Sequence, residues 1–409
     1  MTRPGSPDLA ADYLPTATLF TLRHRARLLA AMRQFFDEAG YFEVETPLLS
    51  ADIVVDAWLE PFVADWLPLT SDWARDGSPR YLQTSPEFAM KRLLAAGATA
   101  IYQLGKVFRN GEVGLRHNPE FTMLEWYRVG DDHHALMQLT ETLVRRVFLV
   151  AGELLEHGDD DARARGPSTP EVRLSLVSRT SFRDDALRRK VRLSEKPDFE
   201  LVTRDEALVR HRDLARRVAH PAGFERLSYD DAFERHAGQR VLDGDVTRLH
   251  EMAERLQLVP PPGLDRNDRD GWLNWLLAEL VEPHLGRERP TFLFNYPASQ
   301  AALARVSQPQ PGAPFVAERF ELYIDGVELC NGYHELTDPA ALRVRIREQF
   351  AVRAAAGLRP LPAESRLLAA MDAGLPASSG NALGVDRLVM LALGQTRLAD
   401  VIAFPFDRA

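Results

Sequence analysis

The chain has 409 residues, 45% of them hydrophobic and 27% charged, a composition that supports a folded globular protein with a sizeable buried core. A formal net charge of -9 argues against a protein that grips nucleic acid through a broad basic face, so tRNA is not an expected partner. A single cysteine, Cys330, excludes an internal disulfide; no signal peptide and no apolar run of about 18 residues is read, so no membrane partner is expected and the cytoplasm is the expected compartment.

In chain order, Pro4, Gly5, Pro7 and Pro15 mark residues 1–21 as a flexible arm. Leu28, Leu29, Met32, Phe35 and Phe36 then share one face and predict a helix over 22–39, stopped by Gly40. A strand is expected over 41–46, ending at Pro47, followed by β-rich stretches at 53–62 and 80–83. Ser85 is placed to cap a helix over 88–96. Strands at 100–108 and 121–128 flank a polar loop, and 136–155 is a strongly apolar helix.

Residues 157–220 differ in character, with 13 Arg and 2 Lys against 12 Asp and Glu in a chain that is acidic overall. They read as an inserted, partly ordered charged segment over 157–222, with strand-like alternation at 172–176 and a charged helix at 204–218. Helices are expected at 240–256, 271–285 and 342–356, and strands at 291–296, 317–324 and 327–329. A strand beginning at Ala382 runs into a helix that ends near Leu393.

Chemistry concentrates in three places. Arg109, Asn110, Gly111 and Glu112 leave one strand, and Asn118 and Phe121 lead into a return strand on which Glu125 and Tyr127, two apart, share a face. Arg109 presents a planar fork suited to phosphate and carboxylate, Glu112 an acceptor for an exocyclic amine, and Phe121 a stacking surface. Glu321, Glu328 and Glu335 recur every seven residues among apolar strand residues, where a carboxylate needs a metal or a cation as compensation. Magnesium shared with a triphosphate fits the first two; any one glutamate taken alone is better explained by an exposed edge strand. His334 reads as a hydrogen-bonded structural histidine because no second histidine stands at ligand spacing. Gly384 offers a close backbone approach, and Arg387 a second arginine at the mouth of a helix.

Three of these elements resemble the signature motifs of class II aminoacyl-tRNA synthetases: the helix and strand ending at Pro47, the Arg109 hairpin, and the segment from Gly384 to Arg387. The strings around Ser85 and Glu87, from Arg116 to Glu125, and from Glu328 to Glu335 resemble the lysyl branch in particular. Only about twenty residues precede the catalytic helix, leaving no room for the anticodon-reading domain of lysyl-tRNA synthetases. The chain is therefore most similar to the elongation factor P beta-lysine ligase family.

That resemblance implies an α+β fold, a six- or seven-stranded antiparallel sheet flanked by helices, with the catalytic core divided between 22–156 and 223–409. It implies ATP and Mg2+ as cofactors, (R)-beta-lysine or lysine as the small substrate, elongation factor P as the protein acceptor, and a homodimer. Arg109 and Arg387 would steady phosphates as the catalytic pair, with Asn110, Gly111, Glu112, Asn118, Phe121, Glu328, Leu329 and Gly384 around the nucleotide. Glu321 and Glu328 would hold magnesium. Ser85, Pro86 and Glu87 would lie near the head amine, and Tyr127 and Glu335 at the distal ammonium; Glu125 and Asn331 complete the amino-acid site. Ala382 replaces a usual glycine and would reshape the pocket. Some family members carry a second glutamate where this chain has Gly111, which implies that the adenine contact is displaced to Glu112. The rival readings are a truncated lysyl-tRNA synthetase that charges tRNA with α-lysine and a non-catalytic sensor of amino acid or nucleotide.

Overall fold

The computed structural model describes residues 13–66, 78–157 and 202–409. The expected strand at 172–176 and most of the arm over 1–21 lie outside them, and of the charged segment over 157–222 only the part from 202 onward can be followed.

Helix α1 (Leu19–Glu38) starts where the Thr18 hydroxyl accepts from the Thr21 N–H at 3.1 Å, and it buries Leu28, Met32, Phe35 and Phe36 along one stripe. Strand β1 (Phe42–Glu43) is shorter than expected, because Pro47 and a turn toward β2 (Leu49–Ser50) end it early. No strand forms over 53–62; β3 (Val63–Trp66) and β4 (Ser78–Leu82) join β2 in a small three-stranded sheet. Helix α2 (Glu87–Ala95) has Pro86, not Ser85, at its N-cap, although the Ser85 hydroxyl still accepts from the Glu87 N–H at 3.0 Å.

The main sheet has nine strands where six or seven were expected. Its centre is the antiparallel run β5 (Ala100–Phe108), β6 (Glu120–Val129), β12 (Ser378–Gly384), β11 (Val327–His334), β10 (Val316–Ile324) and β8 (Thr291–Pro297). Two parallel neighbours extend it, β1 beside β5 and β7 (Glu225–Ser228) beside β8, while β9 (Val306–Ser307) pairs with β10. Parallel pairing at both margins follows from chain entry through helices rather than hairpins.

Strand alternation divides the central residues between two faces. Leu124 and Trp126 on β6, Phe320 and Leu322 on β10 and Leu383 on β12 enter one core. Helix α3 (His133–His157), the charged helix α4 (Arg204–Val218) and α10 (Val385–Ala392) cover that face. Each large apolar side chain fully enclosed there contributes about 1.5–3 kcal/mol. Helix α4 is tied in by the His211 ring nitrogen, 2.7 Å from the Ala392 carbonyl. Helices α5 (Tyr229–Ala237), α6 (Val246–Arg255) and α7 (Arg269–Leu276) pack at the β7–β8 end, and α7 widens into a π-helical turn at Leu277–Val281. Helices α8 (Pro339–Ala355) and α9 (Arg366–Gly374) lie with α2 over the opposite face. Among the described residues no helix is long and apolar enough to cross a membrane.

Candidate active site

The second face of the four central strands is the floor of a 1260 Å³ cavity, onto which Glu125 and Tyr127, Ala382 and Gly380, Asn331 and Glu335, and Glu321 and Arg319 project. All the site residues singled out in the sequence line this cavity except three. Pro86 is spent as a helix cap, the Asn110 N–H donates to the Glu60 carbonyl at 2.8 Å, and Gly111 turns the hairpin at φ +85°.

One end is cationic. Arg387 donates to the Glu328 carbonyl at 2.9 Å and to the Arg116 carbonyl at 3.2 Å, and its Nη2 lies 2.6 Å from His117 Nε2. Burial and the adjacent Arg387 lower the His117 pKa, so the neutral ring accepts that hydrogen bond. Arg109 stacks over Phe121, 5.1 Å from the ring centre, and pairs loosely with Glu112 at 3.7 Å. Its buried Nε has no hydrogen-bond partner. Glu328 keeps 42% of its side chain open and has one long ion pair, 3.6 Å from Arg387. Desolvation and the nearby Glu321 raise its pKa against the pull of both arginines.

The other end is anionic and enclosed. The Ser85 hydroxyl donates to Glu125 at 2.9 Å and the Tyr127 hydroxyl at 3.2 Å. Burial, then the neighbouring Glu87, push Glu125 up to about 8. Lys91, absent from the sequence-derived site, reaches from α2 between Glu87 at 2.6 Å and Glu335. Burial alone would lower the Lys91 pKa, but the two carboxylates hold it above its ordinary value. Burial raises the Glu335 pKa, and its Oε1 has no hydrogen-bond partner. The spacing of Glu87 and Lys91, one helical turn apart, was the available signal for this contact.

Three other residues behave differently from their sequence reading. Glu321 already accepts from the Tyr296 hydroxyl at 2.6 Å, the Tyr323 hydroxyl at 2.7 Å and Arg319 at 2.6 Å, while the Asn331 amide lies 3.4 Å away. The Asn118 amide donates to the Glu120 carbonyl at 2.6 Å and its oxygen accepts from the Phe406 N–H at 2.9 Å, so it pins the loop to the C-terminal segment. A Cβ at Gly384 would stand an ordinary 3.7 Å from the Leu329 carbonyl, so no close approach within the protein demands glycine there. Gly380 is the tight position: a Cβ would fall 2.2 Å from the Tyr127 ring and 2.5 Å from the Glu335 carboxylate.

The model of class II tRNA synthetases (D, K and N) matches residues 12–408. The chain belongs to this family. It is 40% identical to the elongation factor P–(R)-beta-lysine ligases of Edwardsiella ictaluri and of an Enterobacter species, over 98% of this chain and 99% of theirs. It is 39% identical to the ligase of the same name from Vibrio cholerae, again over 98% of this chain and 99% of that one. Family membership makes the chain an enzyme of the ligase class with the synthetase α+β fold.

Proposed function

We propose that the protein is an ATP-dependent ligase that activates (R)-beta-lysine as its adenylate and passes the acyl group to a lysine ε-amine of elongation factor P. The observation that carries this reading is the two-ended cavity: an arginine pair suited to phosphate at one end and buried carboxylates suited to an ammonium at the other. The names of the full-length relatives supply the identities of amino acid and acceptor. In this reading 22–156 and 223–409 form one catalytic domain.

The cationic end fits a nucleotide, because Arg109 keeps a buried donor unsatisfied among the described residues and Arg387, its side chain 22% exposed, lines the cavity. The fit to magnesium rests on Glu328, whose carboxylate accepts no short hydrogen bond from a described residue; Glu321 would join it by giving up a tyrosine or arginine partner. When bound beside the triphosphate, Mg2+ supplies Lewis-acid neutralisation of phosphate charge. Arg109 is set to absorb charge that develops as the substrate carboxylate attacks the α-phosphate in line, forming the acyl adenylate as the α–β phosphoanhydride bond breaks and pyrophosphate leaves. Glu125 and Glu335, with the Tyr127 and Ser85 hydroxyls, replace the water around the substrate ammonium groups. No protein nucleophile is needed, and buried Cys330, its pKa pushed up to about 12 chiefly by burial, stays a thiol. In the transfer step the acceptor ε-ammonium gives up a proton, for which the adenylate phosphate is a suitable base, and the free amine attacks the acyl carbon to form an amide as the acyl–phosphate bond breaks and AMP leaves.

Exposed Phe42, Leu48 and Leu49, just beyond α1, support association of two copies through this edge, which light scattering on the purified protein measures directly. The reaction itself is tested by supplying ATP, Mg2+ and either (R)-beta-lysine or α-lysine, with elongation factor P and bulk tRNA as parallel acceptors. Mass spectrometry is expected to find beta-lysine on elongation factor P and unmodified tRNA. Charging of tRNA with α-lysine, or no adenylate with either amino acid, would overturn the reading.

A further inference from the structure

On the sheet face turned away from the cavity, three residues from distant parts of the chain converge. Arg319, Tyr333 and Glu335 line the cavity, so strand alternation sends Glu318 and His334 to the other side. Arg319 and Tyr333 are cross-strand partners, which sets Glu318 and His334 side by side at the ends of β10 and β11. Helix α3 packs across β10, β11 and β12, and its first residue is His133. One ligand atom from each of His133, Glu318 and His334 lies within 4.8 Å of the other two.

His334 Nδ1 meets Glu318 Oε2 directly. His133 is only 6% exposed, yet among the described residues neither of its ring nitrogens has a hydrogen-bond partner. A buried imidazole with both nitrogens unmet is costly unless something occupies the space it faces. No pair of histidines at ligand spacing marks this cluster in the sequence.

We propose that His133, Glu318 and His334 form a binding site for a divalent transition-metal cation of the zinc class. Two imidazoles and a carboxylate are the donors that borderline-soft cations select, whereas magnesium prefers oxygen alone and remains at the cavity side. Ligand atoms around tetrahedral zinc stand about 3.3 Å apart, as bond lengths of about 2.0–2.1 Å require, so binding draws His133 inward by a side-chain adjustment. The other charges nearby leave room for a cation. Arg305 is 3.9 Å from Glu318 and more than half exposed, free to turn outward. The positive start of α3 is offset by Asp132, which accepts from the His134 and Ala135 N–H groups at 3.0 and 2.9 Å. The His134 ring packs against that of His133 at a tilt, with ring centres 4.1 Å apart. Because Tyr333 and Glu335 flank His334 and line the cavity, the metal would fix the strand end that carries the amino-acid site.

The test uses the untagged full chain, stripped with chelator and dialysed against Zn2+ alone, with metal content measured per chain. Co2+ substitution provides the second readout through its visible absorption. One cation per chain is expected, bound more weakly in His133→Ala and Glu318→Gln by more than the ~10–100-fold that loss of an outer-sphere partner costs. Circular dichroism and ATP–pyrophosphate exchange check that the variants fold, and Glu318→Gln keeps the shape of the site if His133→Ala does not. Absence of stoichiometric uptake of both cations, or uptake unchanged in the folded variants, would overturn the proposal.

Discussion

At the arginine end of the cavity the side chains of Arg109 and Arg387 keep 26% and 22% of their surface exposed, whereas at the carboxylate end Lys91 and Glu335 keep 1% each. The arginines sit on a hairpin and at a helix mouth, Arg387 held by two backbone carbonyls and each arginine by one long ion pair, so their charge stays partly solvated until a polyanion arrives. The carboxylates are embedded between sheet and α2, and their desolvation is offset inside the fold by Lys91. Recognition of the nucleotide is thus separable from folding, while recognition of the ammonium is not. Substitutions at the first end should appear in rates, and at the second in stability.

The largest effect is expected from Lys91→Met, which strands two buried carboxylates. Urea unfolding should show a loss of about 3–5 kcal/mol; a loss no larger than that of a surface substitution would break the comparison. Arg387→Ala should leave the unfolding midpoint nearly unchanged and lower kcat/KM for ATP–pyrophosphate exchange by ~10²–10³-fold.

Glu125→Gln tests both consequences of enclosure at once. Because burial pushes the folded carboxyl up to about 8 from its ordinary 4.5, the folded chain holds one more proton than the unfolded chain between them. Stability from this group is therefore full at low pH and is lost as pH rises through the folded value, and the glutamine variant should lose that part of the slope. An ammonium binds the ionised form, so KM for the amino acid should fall in the parent protein as pH rises from about 6.5 to about 8. In the variant it should be raised ~10–100-fold and lack that trend, as expected for a lost hydrogen bond to a charged group worth about 1.5–3 kcal/mol. Asn118→Ala should cost about 1–3 kcal/mol of stability, since it abandons a carbonyl and an N–H together. Glu112→Gln, which loses only a 3.7 Å exposed pair, should change stability by less than about 1 kcal/mol. Any rise in KM for ATP in that variant would mark Glu112 as a nucleotide contact.

The strands at the heart of the site were legible because β5 and β6 are long runs rich in aromatic and aliphatic residues on either side of a polar loop. The expected strand stopped at 329, short of Asn331 and Gly332, whose residue types disfavour strands; pairing with β12 on one side and β10 on the other overrides that local preference. Helix α5 escaped notice because its buried Tyr229, Ala232 and Phe233 are interleaved with charged residues over nine positions, too few for a clear period. The π-helical turn at Leu277–Val281 has the composition of an ordinary helix, and only packing distinguishes it. Motif strings named both ends of the cavity, and the Glu87–Lys91 spacing hinted at one ion pair, but they could not reveal the second partner of Lys91, because Glu335 arrives just beyond the end of β11, far along the chain. Nor could they show that Glu321 is held by Tyr296 and Tyr323, since the first of those contacts is made across strands.

Gly380 also constrains how this pocket can change over generations. Every replacement there adds at least one carbon where the Tyr127 ring and the Glu335 carboxylate already stand, so the position is closed to drift and to directed evolution alike. Ala382, two residues along the same strand and on the same floor, carries its Cβ already and remains adjustable in size. New amino-acid specificities, whether selected in nature or in a library, should accumulate at 382 and leave 380 untouched.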